Sequence, residues 1–241
     1  MNDTLKKAAA QAVLVPHTHW DREWYLTVEQ LRPRLVRLFE NLRQILDNEP
    51  DYQCYWLDGQ TSVLEDYWET IGEQPGWLEE ALCRQQILFG PWYTLVDEWL
   101  VSAESIIRNL FEGRRMMQRY GQENQIGYLP DSFGHVSQMP AILRGFGIDN
   151  AFFFRGIDEE TLPTLELKWE SAQGEAVLVS QLRGGYSNAQ RVDAERHLQG
   201  DRAQGLVNQL RQLENMSAAS VLLLLNGVDQ ALPTHHLDRS I

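Results

Sequence analysis

The strongest constraint on this chain is a rhythm. Short apolar runs alternate with longer runs of helical period, and the unusual polar residues fall just after the short runs. Ala12–Val15, Tyr52–Leu57, Ile87–Phe89, Gln125–Leu129, Ala151–Phe154, Val177–Leu182 and Val221–Leu225 read as strands. Between them Leu31, Leu35, Leu38, Leu42 and Ile45 recur at helical spacing,. Thr61–Thr70, Trp77–Gln86, Pro140–Phe146 and about Ala194–Leu213 also read as helices. Ser102 is placed to cap a further helix that runs to about Tyr120 and stops at Gly121,. Strand–helix alternation of this kind predicts an α/β fold with a mainly parallel sheet and crossover helices. Such sheets bind ligands beyond the carboxyl ends of their strands.

That rule selects residues. His17, His19 and Asp21 follow the first strand at alternate positions, so an extended backbone puts all three on one face,. Nitrogen and carboxylate oxygen donors in that pattern suit zinc. Asp58, Gly59 and Gln60 follow the second strand, and Trp92, Tyr93, Asp97 and Glu98 the third. Asp131, Phe133, Gly134 and His135 follow Leu129. Taken alone, Asp131 suits a turn or helix cap as well as a reactive carboxylate, and Asp229 after Asn226–Gly227 reads as a turn residue. Arg155 directly follows Phe152–Phe153–Phe154, where a cation needs an anionic partner,.

Composition narrows the partners. A formal net charge of −13 excludes the basic face that nucleic acids or anionic membranes require,. No apolar run reaches the roughly 20 residues of a membrane span. Residues 1–10 lack the apolar core of a secretion signal, so the expected compartment is the cytoplasm,. The two cysteines, Cys54 and Cys83, form no CxxC pair and are expected to be buried small hydrophobes,.

Two stretches, His17–Thr18–His19–Trp20–Asp21–Arg22–Glu23–Trp24 and Gly127–Tyr128–Leu129–Pro130–Asp131–Ser132–Phe133–Gly134–His135, resemble glycoside hydrolase family 38, the class II α-mannosidases. The stretch from Gly90–Pro91–Trp92–Tyr93 to Ser102–Ala103–Glu104–Ser105 is similar to its bacterial branch, which includes the mannosylglycerate hydrolases. The resemblance runs from about residue 12 to 233. It implies an incomplete (β/α) barrel-like domain of the glycoside hydrolase/deacetylase type, and a zinc-dependent retaining hydrolysis of α-mannosides.

Position by position, the resemblance places one Zn2+ on His19, Asp21 and Asp131, with His17 behind the ligands. Asp131 is implied as nucleophile, held by Arg155, and Asp229 as general acid/base. Zinc and Arg155 together imply an Asp131 of low pKa. Trp24, Phe133 and Tyr186 are implied as sugar-binding residues. Arg22 and Arg183 are candidates for an anionic aglycone. The family's fourth zinc ligand, a later histidine, has no counterpart here, since His235 and His236 follow Asp229 too closely and read as loose polar tail residues. The expected layout is a tail over 1–10, a catalytic domain over 11–233 and a truncated tail over 234–241. Two other readings stay open: a zinc-dependent carbohydrate deacetylase, and a fragment that binds zinc or sugar without catalysis.

Overall fold

A computed structural model describes residues 11–123, 126–158, 160, 162, 164–190 and 201–237. Strand β1 (Gln11–Pro16) leads to helix α1 (Val28–Asn48), β2 (Tyr55–Trp56), α2 (Ser62–Ile71), α3 (Gly76–Cys83) and β3 (Ile87–Leu88). Helix α4 (Ala103–Arg119), β4 (Gly127–Leu129), α5 (Met139–Gly145), β5 (Asn150–Phe153), β6 (Glu166–Glu170), β7 (Ala176–Gln181), α6 (Asp201–Met216) and β8 (Val221–Asn226) follow. The predicted helix from Ala194 lies outside the described residues for its first part.

The pairings β1–β8, β2–β3, β4–β5 and β5–β7 are parallel, and β6–β7 is antiparallel. The mainly parallel α/β class read from the sequence is therefore present. The strands form three sheets, with orders β1-β8, β2-β3 and β4-β5-β7-β6, and no closed barrel arises among the described residues. Strand β6 was absent from the sequence reading. It is an edge strand, Glu-Leu-Lys-Trp-Glu, whose charged residues interrupt the apolar run that marks a buried strand,.

The helices stand where their apolar stripes dictate. The inner face of α1 buries Leu31, Leu35, Leu38, Phe39, Leu42 and Ile45. These residues share a core with α2, α3, β2, β3 and β8. A second core joins Ile106 and Leu110 of α4 to Leu143 of α5 and to Ala151, Phe153, Val177 and Val179 of the sheet. Ser102 caps α4 as read from the sequence, its Oγ accepting from the Ser105 amide at 3.1 Å. The cysteines depart from expectation: Cys54 is half-buried and Cys83 is exposed. Leu78, Ala81 and Leu82 occupy the buried side of α3, which leaves Cys83 facing outward.

His235 and His236 are also not loose. His235 Nδ1 lies 2.9 Å from Glu49 Oε1, the His236 amide donates to Glu49 Oε2 at 2.7 Å, and Leu237 is buried. Burying Glu49 at the end of α1 requires such partners, which ties this segment down,.

Gly113 in α4 sets the route of the chain toward the site. A Cβ there would lie 2.0 Å from the Pro91 carbonyl oxygen and 2.5 Å from the Trp92 carbonyl carbon. Alanine in a helix ordinarily gains about 1 kcal/mol over glycine. Here the clash with backbone should reverse the sign. Gly113→Ala is expected to lower unfolding free energy by about 2 kcal/mol or more in urea titrations; equal or greater stability would refute this packing.

Candidate active site

Residues that follow β1, β4, β5, β7 and β8 meet one another, His19 with Asp131 and Asp229, Asp131 with Arg155, and Tyr186 with Asp229. Asp58, just after β2, is the fully buried centre of the arrangement. It holds a left-handed turn conformation at φ 49°. Its Oδ2 accepts from the Trp20 amide at 2.8 Å and from Gln60 Nε2 at 3.1 Å, and lies 3.0 Å from His19 Nδ1. Gln60 Nε2 also donates to the Trp20 carbonyl at 2.9 Å. The loop after β1 is thereby fixed from beneath.

His19 is buried at 1% exposure. Its backbone bridges to the segment after β8, with the His19 amide on the Val228 carbonyl and the Gln230 amide on the His19 carbonyl. Its ring stacks on Tyr186, with centroids 4.1 Å apart. His19 Nε2 faces Asp21 Oδ1 at 3.5 Å and Asp131 Oδ2 at 3.8 Å. Burial works against charge on this imidazole, but Asp58 and Asp21 outweigh it, and its pKa is pushed up to about 11. His17 differs. Both its ring nitrogens face backbone carbonyls, Tyr186 at 2.6 Å and Thr18 at 2.8 Å, and burial holds its pKa below the usual value.

Asp131 sits on the bend after β4, and Arg155 on the bend after β5. Arg155 Nε donates to Asp131 Oδ1 at 2.7 Å. The guanidinium is covered by Phe133 at 4.5 Å and by Phe154 at 5.4 Å. The low pKa implied for Asp131 is not what the protein's own groups produce. Burial raises it, and the opposing pulls of Arg155 and His19 do not fully compensate.

Tyr186, on the loop after β7, donates its hydroxyl to Asp229 Oδ1 at 3.0 Å. Burial, Asp131 and Asp229 all raise its pKa, so it remains a donor. A cavity of about 290 Å³ opens beside them, with walls that include His19, Asp21, Gln60, Asp131 and Phe133 but not Arg155, Tyr186 or Asp229. Trp24 does not line it. It is 65% exposed and packs edge-on against Tyr25 at 5.4 Å. Arg22 does line it, with its guanidinium held by Nε and Nη2 on the two oxygens of Asp66 at 2.8 and 2.9 Å.

Among the described residues no set of three or more His, Cys, Asp or Glu groups is drawn together at metal-ligand spacing. The nearest approach is His19 with Asp21 and Asp131. Two features of that trio suit a cation. Neither ring nitrogen of the buried His19 makes a hydrogen bond of good geometry, and Nε2 is the one that faces the two cavity carboxylates. Its separations from the two carboxylates also slightly exceed the roughly 3.3 Å edge of a tetrahedron built on zinc–nitrogen and zinc–oxygen bonds,.

Sequence reasoning flagged Asp58, Glu98 and His135 as polar residues after strands but gave them no roles. The structure gives each a buried partner. Asp58→Asn would keep most hydrogen bonds and remove the charge beside His19. The His19 pKa, followed by NMR in the metal-free chain, should then fall from about 11 toward the ordinary imidazole range,. An unchanged titration would show that Asp58 is not its main stabiliser.

Comparison with known proteins identifies the family. Residues 9–241 match the N-terminal domain of the glycosyl hydrolases of family 38. A protein of Halalkalibacterium halodurans, provisionally named mannosylglycerate hydrolase, is 36% identical over 90% of this chain and 25% of its own length. The α-mannosidase of Saccharomyces cerevisiae is 28% identical over 56% of this chain and 13% of its own. The crystal structure of an α-mannosidase from Enterococcus faecalis superposes with a TM-score of 0.90 at 30% identity, over 96% of this chain and 26% of that one. The chain thus spans about a quarter of the length of these two bacterial relatives. With a match across nearly its whole length, the chain belongs to glycosyl hydrolase family 38, through that family's N-terminal domain.

Proposed function

We propose that this chain carries the reaction centre of a zinc-dependent retaining α-mannosidase, acting on a small carbohydrate substrate. The observation that supports it most is the pairing of Asp131 with Arg155 at 2.7 Å, beside the orphaned Nε2 of His19. An arginine-clamped carboxylate on the bend after a parallel strand is suited to attack an anomeric carbon. The three sheets read as an incomplete barrel. The His17–Trp56 bridge links β1 to β2. The Trp92 indole donates to the Tyr128 carbonyl, and the Ala189 amide to the Leu225 carbonyl.

In this reading His19, Asp21 and Asp131 hold the ion, which when bound supplies positive charge to sugar hydroxyls. Asp131 Oδ1 is oriented by Arg155, leaving Oδ2 toward His19. Asp229 acts as acid and then base. Tyr186 donates to its Oδ1, so Oδ2 is the oxygen that carries the transferable proton,. Phe133 lines the cavity, and Tyr186 is proposed as a sugar-binding residue on the strength of its stacking against His19 and its bond to Asp229. Trp24 is proposed as a sugar-stacking residue because its exposed ring is open to a ligand,. Hydrolysis of mannosylglycerate is a narrower form of the proposal, supported by the name of the Halalkalibacterium relative.

A 5-fluoro-α-mannosyl fluoride tests the nucleophile without help from an acid, because fluoride leaves unaided. In the presence of zinc, the chain is expected to gain one fluoromannosyl group on Asp131 by mass spectrometry, and Asp131→Asn to gain none. Steady turnover of an aryl α-mannoside by the 241 residues alone is expected to stay near background. Absence of label on Asp131 would remove the retaining reading. Release of acetate from an N-acetyl sugar would favour a deacetylase.

Metal binding gives a second test. Zinc takes a neutral imidazole, and His19 starts protonated because its pKa is about 11,. Binding near neutral pH should release a proton, and apparent affinity should rise as pH increases through the neutral range. Calorimetry in buffers of different ionisation enthalpy measures this directly. His19→Ala should abolish binding; retained stoichiometric binding would refute the assignment.

A further inference from the structure

Arg155 orients Asp131, yet little in the sheet holds Arg155 itself. Strand β5 ends at Phe153, and Gly156 turns the chain away at φ 84°. The Arg155 carbonyl has therefore left the ladder and needs another donor. That donor is His135, whose Nε2 lies 3.0 Å from it. On the other side of the ring, His135 Nδ1 lies 2.7 Å from Glu98 Oε1. Glu98 Oε2 in turn accepts from the Val136 amide at 2.8 Å. The Glu98 side chain is fully buried and that of His135 is 7% exposed.

The packing leaves this ring one position. His135 lies 4.6 Å from the Phe153 ring and 5.3 Å from Trp169. Gly156 makes room for it, since a Cβ there would stand 2.7 Å from His135 Cδ2. Burying a carboxylate with an imidazole is costly unless every partner is met. Here the partners are met in one line that ends on the backbone of the arginine. Apolar residues of similar volume would fill the space more cheaply, but they would leave the Arg155 carbonyl without a donor.

We propose that Glu98 and His135 are a positioning pair that fixes Arg155, and through it the Asp131 carboxylate. Neither touches the cavity. The pair acts on the reacting atoms only through Arg155, and its importance for catalysis rests on the mannosidase reading above. The hydrogen-bond logic separates variants of similar size. In Glu98→Gln the amide oxygen still accepts from Val136 and the amide nitrogen donates to Nδ1, so His135 Nε2–H still reaches Arg155. In His135→Phe the ring still packs between Phe153 and Trp169, but the donor is gone.

The test is hydrogen exchange at Arg155 Nε in the metal-free 241-residue chain, by nitrogen-15 NMR, with the signal assigned through Arg155→Lys. His135→Phe is expected to exchange at least tenfold faster than the parent while keeping its melting temperature within a few degrees. Glu98→Gln is expected to stay within twofold of the parent, and Glu98→Met to follow His135→Phe. Unchanged protection in His135→Phe would overturn the proposal. So would collapse of both His135→Phe and Glu98→Met, which would assign the pair to folding alone. The labelling rate of Asp131 should fall in parallel with protection. Because exchange uses no sugar, failure of the mannosidase reading would appear as absent label with the exchange pattern intact.

Discussion

The structure of the site depends on one buried carboxylate. Asp58 collects the Trp20 amide, the Gln60 amide group and the Nδ1 side of His19 on a single oxygen. A buried charge without partners would be among the most destabilising features a core can hold. The loop after β1 therefore has one low-energy position, the one that supplies those partners. That position turns His19 Nε2 toward Asp21 and Asp131 and presents its ring to Tyr186. The charge balance of the cavity follows, because His19 is cationic in the absence of metal and faces several acids.

The same solution is used again on the other side of the cavity. Glu98 and His135 hold the bend after β5, as Asp58 holds the bend after β1. In both places a loop residue that touches or orients a cavity wall, His19 or Arg155, is anchored by an acid that does not line the cavity. The loops can then project polar groups into solvent without drifting, which is what precise chemistry on loops demands.

The sequence made the outline legible because a parallel sheet sorts its residues. Apolar runs become strands, and whatever polar residue comes next lies at the functional end. His19, Asp21, Asp131, Arg155, Tyr186 and Asp229 could all be marked this way, and the structure brings them near one another. Partnerships were not legible. Trp20 and Asp58 are 38 residues apart, Glu98 and His135 are 37 apart, and Glu49 and His235 are 186 apart. Nothing in local spacing encodes such pairings. The sign of the Asp131 shift was hidden for the same reason, since desolvation depends on what packs around a group,. Strand β6 did carry a signal: Leu167 and Trp169 alternate with Glu166, Lys168 and Glu170, the period of a half-buried strand,.

That four-stranded sheet has two margins, and each is closed to other chains by different means. On β6, Lys168 and Glu170 place charges along the open edge, where a second polypeptide would have to bury them to add a strand,. On the β4 side, the Trp92 indole donates to the Tyr128 carbonyl at 2.7 Å, so a side chain takes an acceptor that would otherwise invite a neighbour. An open sheet margin is a template for a strand from another copy. Among the described residues that template is blunted by solvated charge at one margin and by a filled acceptor at the other.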